Sequence, residues 1–111
     1  MSEFGTTARI VLTTAASGDE ARTLARTLVE ERLAACATII PTVESIYRWE
    51  GKVETAVETL LLIKTAVGQV DALESRLRAL HSYQTPEILV LPVESGSDDY
   101  LAWMRDSLRK A

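Results

Sequence analysis

The chain has little cysteine, little histidine and little basic charge. With Cys36 as the single cysteine, no intrachain disulfide can form and no cysteine-cluster metal site exists within one chain; this suits a reducing compartment. His81 is the single histidine, and one imidazole does not build a tight metal site inside one subunit. Long apolar runs are missing as well, since nothing approaches the ~20 residues of a membrane span. The start, MSEFGTTA, lacks the basic end and apolar stretch of a secretory signal. A cytoplasmic protein with no membrane partner is therefore expected, with residues 1–7 as a loose segment. Lys and Arg total 12 against 16 Asp and Glu, a net charge of −4, which weighs against nucleic acid as a partner. There is no phosphate loop, nucleotide fingerprint, HExxH or paired-cysteine zinc signature, so no organic cofactor is expected.

What is present describes one globular domain spanning residues 1–111. A chain of this length can bury roughly two-thirds of its unfolded surface. Hydrophobic residues at 47% and charged residues at 25% exclude disordered and collagen-like classes.

The β-branched run Ala8–Ala15 predicts a first strand. Ser17 and Glu20 form a capping box, opening a helix to about Ala34 with Ala21, Leu24, Ala25, Leu28 and Leu33 as its apolar stripe. Two strand-like arms follow, Ala37–Trp49 and Lys52–Thr65, around a turn at Glu50-Gly51. At roughly 3.3 Å per residue each arm reaches about 40 Å, too long for a domain with a radius of gyration near 13 Å. The tip must overhang the core and meet another surface, most simply another copy of this chain. Pro41 lacks an N–H, so a bulge or bend is expected in the first arm. A second helix is predicted from Gln69 to about His81, with Val70, Leu73, Leu77 and Leu80 facing inward. The apolar run Ile88–Val93 predicts a strand that is central or buried on both faces, and Ser97 caps a short last helix. The order β-α-β-β-α-β plus a C-terminal helix is an α+β, ferredoxin-like arrangement, an antiparallel sheet with two helices on one face and a long hairpin between its second and third strands. The other face is left open and calls for a partner.

Four stretches then resemble the CutA family of divalent-cation tolerance proteins: Arg32–Ala37, Ser45–Lys52, His81–Glu87 and Asp99–Trp103. The resemblance covers about residues 8–109. It implies a homotrimer, similar in architecture to the PII signalling proteins, and a link to divalent metals, copper above all, with no settled reaction. Ser82 stands where the family usually carries proline. Metal ligands proposed in some members fall on Thr13, Leu80 and His81, of which only His81 is a ligand type.

The candidate chemistry has two readings at each position. His81, a few residues before Glu87, is a copper or zinc ligand or an acid–base group; otherwise it is a histidine closing a helix end. Cys36 is a thiolate for Cu(I), with Arg32 nearby, or a small buried apolar group. At the hairpin tip Trp49 faces Lys52 and Tyr47 faces Glu54, with Arg48 and Ile46 on the other side. Tyr47, Arg48, Trp49 and Lys52 anchor an interface or line a pocket between subunits that holds an anionic metabolite near Arg48 or Lys52. Tyr83, Glu87 and Trp103 complete the polar–aromatic set, Glu87 as base, ligand or ion-pair partner. Three functions follow: a non-enzymatic trimer that binds divalent metal weakly, a PII-like sensor of a small metabolite, and a small enzyme using His81 and Glu87 as acid and base.

Overall fold

Residues 5–110 are described by a computed structural model. Strand β1 occupies Ala8–Ala15, as its β-branched composition predicts. Ser17 then caps helix α1 (Gly18–Glu30), its Oγ accepting from the Glu20 N–H at 3.1 Å. Glu20 reaches back one residue beyond a capping box and accepts from the Ala16 N–H at 3.1 Å. The helix stops short of the expected Ala34. Arg32 adopts a positive φ of 59°, while the N–H groups of Leu33 and Arg32 bond the carbonyls of Leu28 and Val29, each at 3.0 Å. That is a Schellman closure with arginine in the place glycine usually takes. Leu33 and Leu28 are both fully buried, which offsets the left-handed backbone.

The hairpin comprises β2 (Cys36–Trp49) and β3 (Lys52–Ala66). Glu50 and Gly51 have φ of 50° and 81°, the type I′ signature that suits a two-residue hairpin turn. Trp49 pairs with Lys52 and Tyr47 with Glu54, and the register shifts between Ile40 and Val43. Pro41 sits in that bulge and Thr42 takes a φ of 62°. The extra residue has a large consequence, because pairing alternates faces every residue. Within β2 it switches the parity of that face: Thr38 and Ile40 before the bulge share the sheet face of Glu58 with Ser45, Tyr47 and Trp49 after it, while Ile46 and Arg48 lie on the other.

A 3-10 turn, Val67–Gln69, leads into α2 (Val70–Leu80), in which Leu73 and Leu77 are buried and Val70 and Leu80 half-buried. Strand β4 (Leu89–Pro92) follows, then α3 (Asp98–Ser107), whose N-cap Ser97 accepts from the Tyr100 N–H at 3.3 Å. The sheet order is β2-β3-β1-β4 with β1 antiparallel to both β3 and β4. β4 is therefore an edge strand of four residues, with Leu89, Val90 and Leu91 at 55%, 38% and 44% exposure. The expected central, doubly buried strand is corrected here. The second crossover of a split βαβ unit lands outside β1, so an apolar run there faces outward in the single chain.

Val11, Ala15, Leu61 and Ile63 of the sheet share one core with Leu24 and Leu28 of α1 and Leu73 and Leu77 of α2, so both helices cover one face. The bidentate pair of Arg76 with Glu31, Nη2 to Oε2 at 2.9 Å, ties α2 to the end of α1. α3 lies on the opposite face at one end, where Met104 and Leu108 pack with Ala8 and Ala35, joined by Ala66 and Leu101. The face expected to be open is thus partly covered by the chain itself. The long axis is 45 Å and the radius of gyration 14.7 Å, above the ~13 Å of a compact domain this size; the hairpin overhangs. Of the segment expected to be loose, residues 1–4 lie outside the described residues. Thr6 is tied down, its N–H and Oγ1 bonding the Val93 carbonyl at 3.2 and 2.7 Å. Among the described residues no helix is long and apolar enough to cross a membrane.

Candidate functional site

The loop between α2 and β4 meets the sheet end of the hairpin at His81. The His81 ring is fully buried, with Nε2 2.7 Å from the Thr14 carbonyl and Nδ1 3.0 Å from the Tyr83 N–H. A backbone N–H only donates, so Nδ1 is the acceptor, and the proton on Nε2 is donated to Thr14. Both ring nitrogens are thereby committed to backbone groups of β1 and the loop. His81 bolts the loop onto the sheet.

Two carboxylates flank this bolt. Glu20 accepts from the Ser82 N–H at 2.8 Å and the Ser82 hydroxyl at 3.0 Å, and its Oε2 lies 3.8 Å from His81 Nδ1. Burial works to raise the Glu20 pKa, but the bonds from Ser82 and Ala16 outweigh it and hold the carboxyl below its ordinary value. Glu58, on β3, is only 9% exposed and accepts from the Tyr83 hydroxyl at 2.7 Å. Burial again pushes upward; the hydroxyls of Tyr83, Ser45 and Thr14 win and keep Glu58 ionised at neutral pH. Burial, then the bond and charge of Glu58, push the Tyr83 phenol well above its usual value. Tyr83 remains a donor.

Above these groups opens a cleft of about 530 Å³. Tyr47, Trp49 and Tyr83 form its aromatic walls, Glu58 and Glu87 supply charge, and Thr14, Ser45, Ser82, Gln84 and Thr85 supply neutral polar groups. The register set by the Glu50-Gly51 turn, with Tyr47 opposite Glu54 and Trp49 opposite Lys52, puts Tyr47 and Trp49 on this side, and the bulge at Pro41-Thr42 takes up the extra residue.

Of the residues singled out by sequence, Tyr47, Trp49, Tyr83 and Glu87 come together here, with His81 bonded to the loop that carries two of them. Arg48 pairs with Val53 on the other face and Lys52 sits at the tip opposite Trp49; neither lines the cleft. Trp103 belongs to α3, its ring 5.3 Å from that of Tyr100. Cys36 pairs with Lys64, whose Nζ is 3.8 Å from Sγ and 3.2 Å from Thr38 Oγ1. Lys64 in turn pairs with Ile10, whereas His81 bonds Thr14, four residues further along β1 and about 13 Å away at strand rise. His81, Cys36 and Glu87 therefore do not converge on one ion within a chain. Among the described residues no group of three or more His, Cys, Asp or Glu is placed to hold a metal. Thr13 faces the helices, fully buried, and its Oγ1 has no partner among the described residues.

Sequence reasoning missed Glu58, Ser45, Thr14 and the second role of Glu20. Glu58 carried a signal: a carboxylate two residues before the apolar run Leu60–Ile63 of β3, paired with Val43 once the bulge is counted.

Fold and cleft together define a small ferredoxin-like α+β protein with an acidic, aromatic cleft. The sequence matches the pattern of the CutA1 divalent ion tolerance proteins over residues 9–107. It is 49% identical over 98 residues to the divalent-cation tolerance protein CutA of Thermus thermophilus, covering 88% of this chain and 95% of that one. The crystal structure of CutA1 from Shewanella sp. SIB1 superposes with a TM-score of 0.92 at 32% identity, covering 96% of this chain and all of the other. The periplasmic CutA of Archaeoglobus fulgidus superposes at 0.89 with 35% identity over 92% of this chain and 99% of its own; its compartment differs from the cytoplasm expected above. The chain belongs to the CutA1 divalent ion tolerance family.

Proposed function

We propose that the chain is the subunit of a non-enzymatic homotrimer serving tolerance of, or response to, divalent metal ions. Family membership carries the link to metals. The surface supports the assembly: Ile46, Val53 and Val57 are 65–68% exposed on one hairpin face, and Leu89 and Leu91 are exposed on the edge strand β4. Uncovered apolar strands of this length favour a second copy. Metal contact is weak, because the available donors stand apart. Glu87 offers oxygen in the cleft, Cys36 offers sulfur at the foot of the hairpin, and His81 has to give up a backbone bond before ligating. A tight copper site requires donors from neighbouring subunits. The same commitment of His81 argues against the acid–base enzyme.

The test is a titration of the purified protein with Cu(II), Cu(I) and Zn(II) beside His81→Ala and Cys36→Ser. Weak binding that neither variant abolishes is expected. A tight complex of one ion per chain that disappears in His81→Ala contradicts the reading.

A second reading, a metabolite sensor resembling PII, is favoured by one observation, a formed cleft of small-molecule size. An anionic ligand near Arg48 or Lys52 requires a different pocket, between subunits, since neither side chain lines that cleft.

A further inference from the structure

Every ionisable carboxylate or amine lining the cleft has the same sign. Glu58 and Glu87 are there, and no lysine or arginine among the described residues lines it. Glu58 is held by hydroxyl donors, not by a cationic partner; the Tyr83 hydroxyl donates to it at 2.7 Å. A buried carboxylate without a counter-charge leaves a negative potential directed into the opening. Around that charge stand Tyr47, Trp49 and Tyr83, whose π-faces attract cations and whose ring bodies accept apolar groups.

We propose that the cleft binds a small organic cation, a protonated or quaternary amine on a short apolar body. The inference deepens the metabolite-binding reading of the same cleft and rests on it. Three features select this chemistry over its rivals. An anion meets two carboxylates and no positive side chain. A metal ion lacks the three clustered His, Cys, Asp or Glu ligands it needs and gains nothing from aromatic walls while it keeps its water shell. An alkylammonium, by contrast, places its charge against Glu58 or Glu87 and its carbons against Trp49 and Tyr47. The volume, about 530 Å³, lies within the range of small-molecule sites. The site is also pre-formed, which lowers the cost of binding. Glu58 is fixed by Tyr83, and Tyr83 by its N–H on His81 Nδ1 at 3.0 Å.

Trp49 and Trp103 are the two tryptophans, and Trp103 lies on α3, away from the cleft. Their indole N–H signals in a ¹H–¹⁵N spectrum therefore give a probe and an internal control. The full chain is titrated with n-butylammonium chloride, tetramethylammonium chloride, sodium butyrate and magnesium chloride at constant ionic strength. The expected result is a saturable shift of the Trp49 indole with both ammonium salts, with Trp103 unmoved and butyrate and magnesium without effect. Glu58→Gln, which keeps an acceptor for Tyr83, weakens the ammonium response at least tenfold. Glu87→Gln, a change at an exposed loop position, weakens it severalfold and serves alone if Glu58→Gln does not fold. A Trp49 shift by butyrate equal to that by butylammonium overturns the cation and leaves the ligand cleft standing. Silence at Trp49 with all four salts overturns both. Saturation by magnesium with silence from the ammonium salts overturns the organic ligand in favour of the metal.

Discussion

Tyr83 donates its hydroxyl to Glu58 Oε2 at 2.7 Å, across a separation of 25 residues. That bond fastens the α2–β4 loop to the hairpin and holds the cleft's inner carboxylate in one orientation. Tyr83→Phe removes it without changing the ring, and leaves a mostly buried charge with fewer donors. Hydrogen bonds to charged groups contribute about 1.5–3 kcal/mol, so a loss of about 2 kcal/mol in denaturant unfolding is expected. An unchanged midpoint contradicts the role given to this bond.

The pH dependence follows from the lowered pKa values of Glu20 and Glu58, each held below the ordinary 4.5. A carboxyl whose folded pKa is depressed binds fewer protons folded than unfolded. Its stabilisation is complete above about 4.5, the ordinary value for both groups, and fades as pH falls through the lower folded values. Thermal unfolding from pH 7 to pH 3 is expected to show a flat region followed by an acid decline, shallower in Tyr83→Phe and in Glu20→Gln. Equal acid slopes in all three proteins contradict it.

Glu20 ties three backbone or hydroxyl groups, Ala16 N–H, Ser82 N–H and Ser82 Oγ. Glu20→Ala frees the loop while Ser17 still caps α1. Amide exchange at Ser82 and Tyr83 is expected to accelerate tenfold or more, corresponding to about 1.4 kcal/mol of local opening, with the middle of α1 unaffected. Unaltered protection at Ser82 contradicts the latch.

Deleting Thr42 removes the extra residue of the bulge and leaves regular pairing, with Ile40 still opposite Leu60 and Val43 still opposite Glu58. Tyr47 stays opposite Glu54, and so on the sheet face of Glu58. The expected outcome is that nuclear Overhauser contacts between Tyr47 and Tyr83 persist, with the β1–β3 pairing retained. Loss of those contacts contradicts the register that builds the cleft.

How legible this was in the sequence depended on how far apart the interacting residues lie. The turn at Glu50-Gly51, the bulge at Pro41 and the Ser17 cap rest on contacts within a few residues, and local chemistry announces each of them. The end of α1 did not announce itself. Leu33-Ala34-Ala35 prolongs the apolar stripe, and the left-handed residue is arginine, where glycine is the usual sign. Strand β4 misled for a different reason: Leu89, Val90 and Leu91 are apolar whether their own chain or another covers them, and burial on two faces does not follow from composition. The cleft was half visible. Tyr47, Trp49, Tyr83 and Glu87 stood out as side chains, whereas Glu58 and Glu20 find their partners 25 and 62 residues away, beyond any spacing rule.

The central claim is that the overhanging hairpin is an assembly device, and the mass of the protein in solution tests it most directly. Light scattering on the intact chain is expected to give three times the 12.2 kDa of one subunit. A variant with Tyr47–Glu54 replaced by a tight turn is expected to give smaller species. A monomeric intact chain, or a trimer that survives the shortened hairpin, contradicts the account.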